Sequence, residues 1–129
     1  MPATFSGAAI MVADLDRSIA FYTELLDLEV LRRFDFETMT QVILGTPDGA
    51  SFLLVHHEDR QTPIDVADGV DKLMFRTDDV HELYERITAT GAESIRPPAR
   101  SAHGVAVVIA FVRDPDGYPL ELIEQVESD

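Results

Sequence analysis

An internal repeat restricts the folds that this chain can adopt. Thr46 to Val55 reads TPDGASFLLV and Asp114 to Ile123 reads DPDGYPLELI, so each half ends with Pro-Asp-Gly and an apolar segment. Earlier in each half, an apolar segment runs into a helical pattern that begins at an Asp, Asp14 in the first half and Asp79 in the second. Two copies of one unit in 129 residues predict a single domain built from two similar modules.

The helical pattern after each Asp supports this alignment. The two Asp residues are 65 positions apart (79 − 14 = 65), and both suit the N-cap of a helix. At that offset, apolar residues fall at matching helix-core positions i, i+4 and i+7: Leu15 with Val80, Ile19 with Tyr84, and Tyr22 with Ile87. Gly91 is suited to end the second helix. We expect helices near residues 15–27 and 80–90.

Each half is predicted to form a strand, a helix and three further strands, which is a βαβββ module. The expected strands are residues 5–12, 28–35, 38–45 and 51–57, then 71–77, 92–97, 104–113 and 118–125. The modules are residues 1–57 and 71–129, joined by a polar connector at 58–70. The predicted class is α+β. Because each sheet alone leaves one face bare, the modules should curl around a shared core or cleft.

Charge and composition exclude several classes of protein. The net charge of −14 argues against nucleic-acid and anionic-membrane partners, because phosphate groups would be repelled. The chain has no Cys, which excludes disulfides and thiolate chemistry. Its longest apolar run is too short to span a bilayer, and its first residues do not resemble a signal peptide. We expect a cytoplasmic protein with a small-molecule ligand.

Glu121 interrupts the last apolar segment. Aligning the two Pro-Asp-Gly turns places Leu53 opposite Glu121, and the offset of 65 pairs Gly7 with Lys72. A carboxylate flanked by leucines either faces water on a half-exposed strand or faces inward for a function. Both possibilities stay open at this point.

Two segments of the chain resemble the vicinal-oxygen-chelate superfamily, which includes glyoxalase I, bleomycin-resistance proteins, fosfomycin-resistance proteins and extradiol dioxygenases. VADLDRSIAFYTELLDLEV is similar to the first strand and helix of the family, and VIAFVRDPDGYPLELIE is similar to the end of glyoxalase I. The resemblance covers nearly the whole chain. It implies that the two modules form incomplete barrels that face each other across a cleft.

The resemblance also implies a ligand set for a metal. Metal-dependent members carry His, Glu or Gln at four cleft positions, two in each module, which here fall on Gly7, Leu53, Lys72 and Glu121; spacing back from Lys72 would replace Leu53 by Leu54. Of these side chains only Glu121 offers a donor atom, whereas a catalytic divalent ion normally has three or more protein ligands. We therefore predict no metal and no other cofactor, although a divalent metal is a disfavoured alternative.

Three functional hypotheses follow from this resemblance. In the first, Lys72 holds a carbonyl or carboxylate oxygen while Glu121 moves a proton, giving isomerase or lyase chemistry without a metal; the competing interpretation of this pair is a structural salt bridge. The second is a non-catalytic drug-binding protein of the bleomycin-resistance type, although a chain without Trp is poorly equipped to stack on flat rings. The third is a metal-dependent lactoylglutathione lyase or dioxygenase-like enzyme whose ligands lie elsewhere.

Several other residues are candidates for ligand binding. His56 and His57 end a predicted strand, so one lies on each face of the sheet. Arg76 has the same strand parity as Lys72, and His103 lies in a predicted loop from Arg96 to Gly104. Bare sheet edges predict a homodimer, and pairing of modules within or between chains stays open. The residues expected in the apolar core include Phe34, Phe36, Met39, Phe52 and Met74.

Overall fold

The computed structural model describes residues 7–66, 70–101 and 106–127. The chain divides into two compact units, Met1–Ile64 and Asp65–Asp129, and the division falls inside the predicted connector. Each unit contains one sheet of four strands and one helical segment, in the order that the repeat predicts. The predicted α+β class with two βαβββ modules is confirmed.

Unit 1, residues 1–64, begins with a short strand that leads into a helix. Its elements are β1 (Ala9–Met11), α1 (Leu15–Ala20) with a π-helical turn (Phe21–Leu25), β2 (Glu29–Asp35), β3 (Met39–Gly45) and β4 (Ser51–His57). The strand order is β1-β4-β3-β2. β1 runs parallel to β4, and the other neighbours are antiparallel.

Unit 2, residues 65–129, repeats this topology. Its elements are β5 (Leu73–Arg76), α2 (Val80–Ala89), β6 (Ser94–Arg100), β7 (Val107–Arg113) and β8 (Pro119–Gln125). The strand order is β5-β8-β7-β6, with β5 parallel to β8 and the other neighbours antiparallel. Within the described residues, neither unit contains a helix long and apolar enough to cross a bilayer.

The helix of each unit covers one face of its sheet, and we call the opposite face the far face. In unit 1, Leu54 pairs with Val42 and both are fully buried on the helix side, where the ring of Phe52 packs edge-on against Tyr22 at 5.2 Å. In unit 2, Leu120, Leu122, Ala110 and Val112 are fully buried, as is Ile87 of α2. Burying these side chains is the main contribution to the stability of each unit.

Side-chain caps set where both helices begin. Asp14 accepts a hydrogen bond from the backbone N–H of Arg17 at 3.1 Å, and Asp79 accepts one from Glu82 at 3.1 Å. The carboxylate of Glu124 on β8 also accepts the N–H of Val80 at 2.8 Å, so β8 is tied to the start of α2. These bonds satisfy donors that have no partner inside the helix.

The structure corrects several sequence predictions. β6 continues through Pro97 and Pro98 to Arg100, where a loop was expected from Arg96 onward. Proline is tolerated because β6 is an edge strand and need not donate on its outer side. Phe36 and Met74 are exposed and do not belong to the core.

Candidate functional site

The far face of unit 2 brings together Glu121 and Lys72, two of the residues that the sequence singles out. Glu121 on β8 lies between Met74 on β5 and Phe111 on β7 in the strand register. Its neighbours in the chain, Leu120 and Leu122, are fully buried on the helix side. Because successive strand residues point to opposite faces, the carboxylate points away from α2.

Glu121 is nevertheless buried, with 7% of its surface exposed. A buried carboxylate needs a partner, because removing the charge from water is costly. The partner is Lys72, whose Nζ lies 3.1 Å from Oε1 of Glu121. Nζ also lies 5.8 Å from the centroid of the Phe111 ring, which is within the range of a cation–π interaction.

Both charged groups of this pair keep hydrogen-bonding capacity that a ligand can use. About a third of the Lys72 side chain (33%) is exposed, compared with 9% for Glu121, so the ammonium is the more accessible partner. An ammonium has three N–H donors, and a carboxylate has two oxygens that can accept. Lys72 can therefore bind Glu121 and a ligand oxygen at the same time.

The equivalent positions of unit 1 carry no charged groups. Leu53 lies between Ala9 and Ile43 in the register, as Glu121 lies between Met74 and Phe111. Leu54 is fully buried on the helix side, so Leu53 and not Leu54 corresponds to Glu121. Unit 1 presents an aliphatic side chain where unit 2 presents a carboxylate.

Gly7 stands where unit 2 has Lys72, and its backbone disfavours any side chain. Its φ is +153°, and a Cβ at this position would lie 3.2 Å from the carbonyl oxygen of Ser51. Residues with a Cβ rarely adopt this conformation. A metal-binding side chain at position 7 would require the backbone to move.

The two histidines at the end of β4 lie on different faces of the sheet. His57 has the strand parity of Leu53 and Val55 and lies on the far face of unit 1. His56 lies on the helix side, where its Nδ1 is 3.2 Å from the carbonyl oxygen of Val12. Since a carbonyl only accepts, Nδ1 of His56 donates this hydrogen bond.

His56 also lines a pocket that the sequence analysis missed. The pocket has a volume of about 380 Å³ and lies beside the start of α1. Its lining is mostly polar and includes Asp14, Asp16, Arg33, Thr40 and Glu58. The lining residues are scattered over α1, three strands and the adjoining loops, so no local motif in the sequence signals the pocket.

The remaining candidates are not gathered at the Glu121 carboxylate. Arg76 has the strand parity of Lys72 and is exposed, and within the described residues its side chain makes no hydrogen bond or ion pair. His103 lies outside the described residues. His81 is exposed in the first turn of α2.

The donor set of the chain does not fit a metal at the positions that the family resemblance implies. Gly7, Leu53 and Lys72 offer no anionic or imidazole donor, which leaves Glu121 alone. Across residues 7–66, 70–101 and 106–127, no three His, Cys, Asp or Glu side chains are grouped closely enough to hold an ion. Lys72 places a positive charge beside the one carboxylate that could bind a cation.

Comparison with known proteins identifies the family. Residues 4–122 match the family described as the Glyoxalase/Bleomycin resistance protein/Dioxygenase superfamily. The chain belongs to this superfamily. Among curated relatives, a lactoylglutathione lyase of Neisseria meningitidis is 31% identical over 124 residues, which cover 93% of this chain and 89% of the relative.

Other relatives are considerably longer than this chain. A lactoylglutathione lyase of Arabidopsis thaliana is 36% identical over 118 residues, which cover 88% of this chain but 41% of the relative. The crystal structure of glyoxalase I from Zea mays superposes with a TM-score of 0.83 at 33% identity, covering 95% of this chain and 44% of the maize protein. The chain thus spans less than half the length of these two relatives.

A solved structure of similar length supports the same fold. Glyoxalase I of Leishmania major, described as trypanothione-dependent, superposes with a TM-score of 0.79 at 30% identity. The match covers 95% of this chain and 87% of the Leishmania chain. The glyoxalase-like fold is therefore established for nearly the whole sequence.

Proposed function

We propose that this glyoxalase-like protein is a lyase or isomerase that moves a proton at the carbon next to a carbonyl group of a small organic molecule. The observation that carries the proposal is the 3.1 Å pair of Lys72 and Glu121 on the far face of unit 2, with Glu121 buried. A buried carboxylate beside a partly exposed ammonium combines a base with a group that binds oxygen.

Each residue has a defined role in this scheme. The ammonium of Lys72 donates a hydrogen bond to the carbonyl oxygen of the substrate and keeps another with Glu121. The Glu121 carboxylate removes a proton from the adjacent carbon, and the electron pair of that C–H bond moves to give an enolate whose oxygen is stabilised by Lys72. For an α-hydroxy carbonyl substrate this enolate is an enediolate: the proton of the α-hydroxyl group passes to the first carbonyl oxygen, and the α-carbon becomes the new carbonyl carbon. Return of the proton from Glu121 to the former carbonyl carbon completes an isomerisation.

No step of this scheme uses a metal, because the donors at the implied positions do not fit one. The second candidate is nevertheless a metal-dependent lactoylglutathione lyase, and the names of the relatives support it more strongly than they support a metal-free mechanism. Its ligands would have to come from positions other than Gly7, Leu53 and Lys72. His57 on the far face of unit 1 is one such donor.

A third candidate is binding without catalysis, since the family also includes bleomycin-resistance proteins. The chain has no Trp and 8% aromatic residues, which gives little surface for stacking on flat rings. In this case the Lys72–Glu121 pair would bind a ligand oxygen and no turnover would follow.

One set of assays separates the three candidates. The protein is treated with a chelator, dialysed and supplied with the hemithioacetal of methylglyoxal and glutathione, which a lactoylglutathione lyase converts, and with simple α-hydroxy and α-oxo carbonyl compounds. The assay is repeated with added Zn²⁺ or Ni²⁺. Turnover without metal supports the proposal, and turnover that requires metal supports the second candidate. Binding with no turnover under either condition supports the third.

Substitutions then test the assigned roles. Glu121→Gln should lower turnover at least about 100-fold, because general acid–base groups contribute about 10²–10⁴-fold. Lys72→Met should lower it to a similar degree, since the enolate loses its stabilising charge. Glu85→Gln, an exposed change on α2, is the matched control and should leave turnover unchanged. Full activity in Glu121→Gln would refute the mechanism.

A further inference from the structure

Two basic side chains of unit 2 differ from most other basic residues in having no partner within the described part of the chain. With 24 acidic residues and 10 basic ones, a cation in this protein readily finds an acceptor. Contacts with a carboxylate, a backbone carbonyl or an aromatic ring are made by Arg32, Arg33, Arg60, Lys72, Arg86, Arg100 and Arg113. The side chains of Arg76 and Arg96 are exposed and make no hydrogen bond or ion pair with any described residue. Both guanidinium groups are therefore available to a ligand.

Both arginines lie on the far face of unit 2, which also carries Glu121. Arg76 on β5 pairs with Ile123, two residues along β8 from Glu121, and Arg96 on β6 pairs with Phe111, which itself pairs with Glu121. Residues that pair across adjacent strands point to the same face of a sheet. Because β5 and β6 are the two edges of this sheet, the arginines stand on opposite sides of Glu121.

The register of the strands sets the distances between these residues. Arg96 lies level with Glu121 two strands away, and Arg76 lies one strand away and two residues further along. With strands about 4.8 Å apart and a rise of about 3.3 Å per residue, the Cα atom of Glu121 is about 8 Å from that of Arg76 and about 10 Å from that of Arg96. A short ligand held at the Lys72–Glu121 pair can therefore reach both guanidinium groups.

Apolar side chains line the surface between the two arginines. Ile109 and Ile123 pair with each other, two residues along their strands from the pair of Phe111 and Glu121. Ile109, Ile123 and Phe111 are only partly buried, so part of each side chain is open to a ligand. Contact with hydrocarbon removes such surface from water and is favourable. The site therefore has an apolar centre between two cationic ends.

We propose that Arg76 and Arg96 bind the two carboxylates of a short aliphatic dicarboxylic acid that carries a carbonyl group, and that the substrate of the protein is an oxo acid of this class. The inference rests on the proposed function, because the Lys72–Glu121 pair acts on the carbonyl group while the arginines hold the two ends. A guanidinium group can bind a carboxylate through two parallel hydrogen bonds, which fixes orientation as well as position. The carbon chain of the acid lies over Phe111.

Charge favours carboxylates over phosphates as the two anionic groups. The net charge of −14 repels anions at long range, so the positive charge at the site has to balance that of the ligand. Two guanidinium groups balance two carboxylates. A phosphate carries a charge of about −1.5 to −2 at neutral pH, so two phosphates would leave an excess of negative charge at the site.

Binding of dicarboxylic and monocarboxylic oxo acids tests the site on the full chain. Calorimetry compares 2-oxoglutarate with 2-oxopentanoate, which has the same chain length but lacks the second carboxylate. Oxaloacetate and 2-oxoadipate provide a shorter and a longer diacid. The diacid that binds best should bind at least about tenfold more tightly than 2-oxopentanoate, because the second carboxylate gains a charged, hydrogen-bonded partner.

Substitutions assign this preference to the two arginines. Arg76→Gln and Arg96→Gln should each weaken binding of that diacid at least about tenfold, and the double variant should lose the preference over 2-oxopentanoate. Arg86→Gln removes an exposed guanidinium group from α2 and is the matched control, which should leave the affinity unchanged. Circular dichroism checks that each variant is folded.

Proton exchange separates this inference from the proposed function. NMR in deuterium oxide follows exchange at the carbon next to the carbonyl group of each oxo acid. Binding that depends on both arginines, without exchange, supports the dicarboxylate site and counts against the proposed chemistry. Exchange that is equally fast for diacid and monoacid and unaffected by the arginine substitutions supports the chemistry and overturns the site. The site is also overturned if no diacid binds, if 2-oxopentanoate binds as tightly as the best diacid, or if S-methylglutathione binds more tightly than every diacid.

Discussion

The position of Glu121 illustrates how a strand can hold a charge between two core residues. Because side chains alternate between the two faces of β8, Leu120 and Leu122 point toward α2. The carboxylate of Glu121 points to the far face, where it pairs with Lys72. The ion pair is asymmetric, because the carboxylate is much more buried than the ammonium. Loss of the ammonium should therefore cost more stability than loss of the carboxylate.

A double-mutant cycle measures the strength of this pair. Lys72→Met leaves a buried carboxylate without its cation, and we expect it to lower the free energy of unfolding by about 1–3 kcal/mol, below the range for a fully buried pair because Lys72 is partly exposed. Glu121→Gln should cost less, and the double variant should recover part of the loss. Urea unfolding of the four proteins gives the coupling energy.

The pair of Arg86 and Glu82 on α2 is a suitable reference for this cycle. These side chains are exposed, four residues apart and separated by 3.9 Å. Their coupling should not exceed about 0.5 kcal/mol. A coupling of Lys72 and Glu121 as small as this reference would show that the two charges do not interact.

Features of single residues could be predicted from the sequence mainly where they follow from the alternation of side chains between the two faces of a strand. The shared parity of Lys72 and Arg76 follows from strand geometry, whereas the pairing of Glu121 with Lys72 was expected from the cleft positions that the family resemblance implies. Which of the two histidines lies on the far face could not be chosen, because it depends on whether Leu53 or Leu54 is buried by α1. The positive φ of Gly7 leaves no signal in the sequence beyond the glycine itself.

At the scale of elements, local capping signals were reliable while strand ends were not. Asp14 and Asp79 were predicted as caps and both cap their helices. Gly91, which was expected to end the second helix, follows the C-cap Thr90 and has a φ of +94°. The extension of β6 through two prolines was missed, because a proline-rich segment is usually a loop and only the sheet order shows that this strand lies at an edge.

Removing the cap of α2 should weaken unit 2. Asp79→Ala loses the hydrogen bond to the N–H of Glu82, and we expect the free energy of unfolding to fall by about 1 kcal/mol. The bond from Val80 to Glu124 remains, so the loss should stay at the level of a single cap. Asp78→Ala, at an exposed neighbouring position, is the control for charge and should change stability by less than about 0.5 kcal/mol. Equal effects of the two substitutions in urea unfolding would contradict the capping role.

At the scale of the whole molecule, the repeat was the most informative feature of the sequence. Its two offsets, 74 − 9 = 65 between β1 and β5 and 121 − 53 = 68 between β4 and β8, relate residues that occupy the same register positions in the two sheets. The offsets differ by three because unit 2 has three more residues than unit 1 between the start of its helix and its last strand. Fold class follows from such a pattern because two similar units bury similar faces, whereas the chemistry depends on single residues at which the two units differ.

The residues that differ between the units lead to a prediction about metal content. Purified protein should retain less than about a tenth of a divalent ion per chain after dialysis, because Glu121 alone cannot hold an ion and Lys72 already neutralises it. Elemental analysis after incubation with Zn²⁺ or Ni²⁺ and dialysis provides the measurement. Glu121→Gln is the control, and its metal content should equal that of the wild type. One ion per chain that survives dialysis in the wild type and is lost in Glu121→Gln would show that Glu121 binds a metal, and it would favour the metal-dependent lactoylglutathione lyase.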